Sequence, residues 1–321
     1  MSDARRWLGA LYERLGIYLT ACVLVGAGIL VSDEFLTPKN LVSVLNAVAL
    51  LGIVATGMAF VTYSGHMADL SVPAIMAFAG ITAVASLSLG LAPALLAGLA
   101  AGMLIGAMNG WVVGHFNANP ILWTLAVSFF MEGFMRFTWS NNQVYPDTET
   151  GSPGAAFIDL FRMSLGPVPL IVVVMGAMFL AGHLVMTGTR LGVETQRVGA
   201  SKAAAVTSGI HVKRVVFLDF VLASFAASVA GIFLASMNKL GVFYLGKGYD
   251  FRSVTAVVIG GMALSGGTGS MSGVLGGVLV IGLLVNIMTF LGMTSFQQDM
   301  ATGALFILVV GIQRFQSGRE R

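Results

Sequence analysis

RLGVETQRVGASKAAAVTSGIHVKR, residues 190–214, is the longest basic, water-soluble run in a strongly apolar chain. Its own punctuation marks a short helix. Ser201 is a good N-cap, because its hydroxyl can accept a bond from a free amide of the first turn. Lys202 to Thr207 favours helix through its three alanines. Gly209 can take the left-handed conformation that ends a helix. A helix this short lies well below the roughly 12–15 residues that persist alone in water. It must lean on the membrane surface or on another protein, or else be a solvated loop. Apolar spans lead into it and away from it, so the segment is a polar island in a chain that crosses a bilayer repeatedly.

Composition agrees. Charged residues make up 10% and apolar residues 57% of 321, and mean hydropathy is +0.89, against about 25% charge in a soluble globular protein. Such a chain cannot cover itself with polar groups. Its length suits about ten helical spans of roughly 20 residues each, in one membrane domain, 1–321. The net charge of +3 is spread over short loops and is no nucleic-acid signal. The lone Cys22 and the scattered His66, His115, His183 and His211 offer neither a disulfide framework nor metal-ligand spacing. No metal or cofactor is expected. The first apolar run lacks a clear cleavage site and reads as a signal anchor.

In order, the spans fall at about 15–31, 41–64, 74–89, 94–115, 121–139, 167–187, 215–237, 253–264, 271–291 and 298–312. A break at 64–73 separates the second and third. Residues 140–166 read as an irregular polar loop. The 253–264 run is too short to cross alone, so it either re-enters near 253–270 or borrows flanking loop residues. A basic lead-in holds Arg5, Arg6 and Arg14, and a basic tail ends the chain. Starting inside and crossing ten times puts eleven of the seventeen Lys and Arg on the inside and five outside. The positive-inside rule then places both termini and 190–214 in the cytoplasm. Small-xxx-small spacing, as in Gly102, Gly106 and Gly110 or Gly273 and Gly277, predicts close helix packing.

The polar residues within the spans are few. Asp69 and Ser71 sit in the 64–73 break, where irregular backbone at membrane depth lines a cavity or is buried in protein. The competing reading makes Asp69 a helix cap in a short cytoplasmic turn. Glu132 and Arg136 are four apart and share a helix face. They read either as pathway groups or as a structural ion pair. Asn46, Asn109 and Asn286 suit hydroxyl-rich ligands or interhelical bonds. Asp219 and Asp299 are expected near the interface. The Ser265–Ser270 glycine run lacks the Lys-Ser/Thr ending of a nucleotide loop, and no nucleophile–base set assembles. The chain is not expected to be an enzyme, so any ATP is hydrolysed on another chain.

Several pieces stand in order along the chain: Gly57-Met58 through Ser64-Gly65 to Asp69-Leu70-Ser71-Val72; Asn109-Gly110; Pro120 to Leu125; Gly199 through Ala204-Ala205 to Val212; Ala256 to Gly261; and Leu264 to Gly269. Together they resemble the permease subunits of ribose-type sugar ABC importers. The resemblance implies a ten-span fold in the bacterial plasma membrane and a second permease subunit, identical or not. It also implies a cytoplasmic ABC ATPase and a periplasmic sugar-binding protein. It maps the family's ATPase-coupling segment onto Gly199, Ser201, Lys202, Ala204, Ala205, Gly209 and Ile210. The expected pathway and gate residues are Asn46, Asp69, Ser71, Asn109, Glu132 and Arg136. Departures include a first break one residue longer, with Pro73 for Gly, and Ser201 for the usual Asn. The C-terminal Gly266-Gly267-Thr268-Gly269-Ser270 also resembles branched-chain amino-acid ABC permeases. An ion-coupled secondary transporter is the reading from a different class.

Overall fold

Caps written into the sequence set the helix ends. Thr37 accepts a bond from the Asn40 amide and Pro38 opens α2, Pro38–Tyr63. Asn119 and Pro120 do the same for α5, Pro120–Thr138, just after α4, Leu91–Phe116, stops at left-handed Asn117. Proline suits the first helical position because its missing N–H is unpaired there anyway. The other helices are α1, Ser2–Val31; α3, Val72–Ala85; α6, Pro153–Arg162; α7, Leu170–Gly188; α8, Arg190–Ala200; α9, Lys202–Thr207; α10, Val212–Asn238; α11, Tyr249–Ile259; α12, Met271–Phe290; and α13, Ser295–Arg319. A 3-10 turn covers Leu87–Leu89, and an antiparallel hairpin pairs β1, Ser164–Leu165, with β2, Val168–Pro169. This computed structural model describes residues 2–319, with side chains from 16 to 311. The side chains of the basic lead-in and of the basic tail lie outside the described residues.

The protein is a polytopic all-α membrane protein. Among the described residues, α2, α4, α5, α7, α10 and α12 are long and apolar enough to cross a membrane. Residues 16–31 of α1 and all of α3 are shorter apolar helices. The 140–166 stretch is not wholly irregular, as its composition suggested. Ser152 caps α6, and Ser236 of α10 ties that helix down, donating to the Phe157 carbonyl at 2.7 Å.

The core centres on α2, whose residues from Val48 to Tyr63 are all buried, packed against α7, α10, α11 and α12. The predicted small-residue seams are real. Along α4, a methyl on Gly106 would stand 2.0 Å from Ser224 Oγ of α10, and one on Gly110 would stand 2.8 Å from the Phe217 backbone. At α11–α12, a methyl on Gly277 would meet the Ala256 carbonyl at 1.9 Å. Without a solvent drive between helices in lipid, such close approach is what holds them.

The short 253–264 run is explained by its flanks. The loop after α10 bridges to the 140s through Val144 and Gly241. It then descends along α3, with Gly241 backed onto Ile81 and Gly246 onto Pro73 and Met76. From there α11 leads to the 260–270 turn beside α8.

Candidate functional site

The 64–73 break carries the most concentrated buried polar chemistry in the chain. Asp69, Ser71, Asn109 and Thr124 have no solvent exposure. The Ser71 amide and hydroxyl both donate to Asp69 Oδ1, at 2.8 and 2.6 Å. Asn109 Nδ2 of α4 donates to Ser71 Oγ at 2.8 Å, and Trp123 Nε1 of α5 donates to Asn109 Oδ1 at 3.0 Å. The Leu70 amide donates to Thr124 Oγ1 at 2.9 Å. One chain of hydrogen bonds thus joins the break to two helices. Asp69 Oδ2 is buried without a partner, so the carboxylate keeps an open acceptor. Asp69 is not the N-cap of α3. Ser71 holds that place and makes no side-chain capping bond.

The break is also strained. Met67 has φ +58°, a left-handed conformation that costs an L-residue roughly 1–2 kcal/mol. Thr62 Oγ1 holds it by donating to the Met67 carbonyl at 2.8 Å. His66 beside it lies 2.9 Å from Ser64 Oγ. Burial, then the Lys202 ammonium, lowers the His66 pKa to about 4, while a hydrogen bond with Ser64 works against the shift. The ring is therefore neutral at pH 7.

The residues expected to couple to an ATPase form a separate unit at the end where the break begins. Ser201 Oγ accepts from the Ala204 amide at 3.3 Å, so the predicted cap is made. The Gly209 amide donates to the Val206 carbonyl and the Ile210 amide to the Ala205 carbonyl, both at 3.0 Å, with Gly209 at φ +77°. This is a Schellman stop. Ala205 is buried against Val61, Val113 and Val212, with Ile210 beside it. Ala204 and Val206 face outward. Lys202 Nζ reaches Asn117 Oδ1. A cleft of about 270 Å³, lined by His66, Gly199, Ser201, Lys202 and Ser265 among others, opens where this unit meets the break.

The remaining predicted residues lie elsewhere. Glu132 and Arg136 pair at 2.8 Å with both side chains near half exposure. Arg136 stacks over the Phe243 ring at 3.9 Å and reaches Asn141 Oδ1. They sit on the later turns of α5, away from Trp123 and Thr124 on its first turn. Asn46 stands on the first half of α2, its Oδ1 enclosed without a partner. Asn286 exchanges amide bonds with Asn40 and ties α12 to α2. Asp219, on the second turn of α10, is fully buried in protein and accepts from Thr195 Oγ1 at 3.0 Å. Composition missed Thr195 because nothing marks one threonine in a polar helix. It missed Trp123 because a tryptophan in a span reads as an anchor.

The family described as branched-chain amino acid transport system / permease component matches residues 40–310. An L-arabinose ABC transporter permease protein of Azospirillum brasilense is 32% identical, covering 99% of this chain and 92% of its own. A ribose import permease protein of Bacillus subtilis is 34% identical, covering 95% and 94%. A probable ABC transporter permease protein of Escherichia coli is 35% identical, covering 93% and 88%. No solved structure matches. With its fold, its buried break and its capped surface helix accounted for, the chain belongs to this family of ABC transporter permeases.

Proposed function

We propose that this chain is the membrane permease of an ATP-driven importer for a monosaccharide. Near-full-length similarity to permeases named for arabinose and ribose carries the reading. In it, α1, α3, α11 and α13 join the six long helices to make ten spans. Two permease subunits enclose one pathway, and both termini face the cytoplasm. A partner ATPase grips α9, whose outward Ala204 and Val206 give a short helix the support it lacks alone. A periplasmic binding protein delivers the sugar. The Asp69–Ser71–Asn109 chain belongs to the gate or pathway, with Glu132, Arg136 and Asn46 as further pathway groups. The sugar drives the cycle only by binding its two states unequally.

The test is uptake of labelled L-arabinose and D-ribose by cells expressing the permease with its ATPase and binding protein. Uptake should stop when ATP is depleted. Uptake that ignores ATP and follows an ion gradient overturns the proposal. Uptake of leucine in place of either sugar would assign the substrate class that the family's description names. Asp69→Asn should lower uptake about tenfold or more with ATPase binding unchanged, since it replaces a charged acceptor of two bonds by an amide. Wild-type uptake in that variant confines Asp69 to local structure.

A further inference from the structure

The 64–73 break is gripped from both sides, and the grip at its start is backbone against backbone. α9 follows α8 through the single extended residue Ser201, the C-cap of one helix and the N-cap of the other. No flexible linker lies between them. α8 in turn is fixed on three elements within five residues. Thr195 Oγ1 donates to Asp219 Oδ1 of α10 at 3.0 Å, with both residues fully buried. Gln196 Nε2 donates to the Gly267 carbonyl at 3.3 Å. Gly199 lies so close to the end of α2 that a methyl on it would stand 2.0 Å from the Tyr63 carbonyl and 2.6 Å from the Gly267 nitrogen.

Tyr63 and Gly267 complete the junction. The Gly267 amide donates to the Tyr63 carbonyl at 2.9 Å. Gly266 lies against the Gly65 backbone, and Gly267 against Ala200. The last turn of α8, the start of one break and the middle of the other therefore meet with no side chain between them. Side chains can absorb a displacement by changing rotamer, but a backbone contact at this distance has no such freedom. From Gly65 the chain passes through left-handed Met67 to Asp69 and Ser71. It reaches Pro73, against which Gly246 of the descending outer loop is packed. A strained segment held by its surroundings is where two discrete arrangements are to be sought.

We propose that the 64–73 break is the moving part that links the cytoplasmic drive to the outer loop, and that Thr195, Gln196 and Gly199 of α8 are the positioning residues that turn it. Displacement of α9 shifts the last turn of α8. That turn carries Tyr63 and Gly267 with it, and the break hands the shift to the Asp69 network and to Gly246. This inference rests on the importer reading.

The experiment reconstitutes the permease with its ATPase in proteoliposomes and adds the loaded binding protein, using L-arabinose and D-ribose as probes. Uptake and ATP hydrolysis are measured together. A wild-type complex that fails to link sugar uptake to ATP hydrolysis overturns the importer reading itself. If wild type works, Thr195→Val should cut uptake per ATP about tenfold, with ATPase content and basal hydrolysis within about twofold of wild type. Thr195→Ser, which keeps the hydroxyl, should restore it. Gln196→Ala changes an exposed residue and decides the matter if Thr195→Val does not accumulate. It should lower uptake per ATP about threefold or more. Wild-type coupling in Gln196→Ala, and in Thr195→Val where that variant accumulates, overturns the inference, as does a Thr195→Ser variant as uncoupled as Thr195→Val.

Discussion

A single amide, Asn109, decides whether the buried network at the break is a unit. It donates to Ser71 and accepts from Trp123, so its side chain joins the Asp69–Ser71 end of that chain to Trp123. Removing one partner of a buried hydrogen bond leaves the other unsatisfied, at about 1–3 kcal/mol. Asn109→Ala orphans the Trp123 N–H, and Trp123→Phe orphans Asn109 Oδ1. Once either is made, the second change removes a group that has already lost its partner. Thermal unfolding of the detergent-purified protein should therefore give a double variant less destabilised than the two singles combined, by about 0.5–3 kcal/mol. Strict additivity would mean that the two side chains are independent.

At the scale of elements, the sequence was most legible where local chemistry decides. Ser201, the alanines and Gly209 announce α9, and the structure makes each bond they imply. The Thr-Pro and Asn-Pro caps work for the same reason, because a cap needs only its own neighbours. Glycine spacing likewise announced the α11–α12 seam. Gly277→Ala would press a methyl into the Ala256 carbonyl, a backbone atom that cannot rotate away. Overpacking of this kind costs about 1–3 kcal/mol. The variant should lower the thermal midpoint, while Gly303→Ala on α13, with nothing near it, should leave it unchanged. Equal midpoints would remove the close approach as a source of stability. What composition did not reveal was long-range. Nothing local marked Asp219 as fully buried in protein, where Thr195, 24 residues earlier, donates to it. The loop before α11 reads as surface, yet Gly241 and Gly246 pack it along α3.

Orientation is a property of the whole molecule, and it is the weight behind every assignment of inside and outside. In the proposed ten-span arrangement, Lys and Arg crowd the segments on the side of α8 and α9 and thin out across the opposite loops, a bias of the kind that sets the direction of insertion. The chain has one cysteine, Cys22, so a Cys22→Ser background permits single-site labelling. Val206 on α9 is 58% exposed, and Thr150 in the loop before α6 is exposed at the other end. With a membrane-impermeant maleimide, Val206→Cys should react in inside-out vesicles and stay silent in intact spheroplasts, and Thr150→Cys should do the reverse. The pairing matters, because each site controls for leakage at the other. Were the two patterns exchanged, α9 would face away from the compartment that supplies ATP. Its exposed face would then have no ATPase to grip it, and the charge argument and the mechanism built on it would fall together.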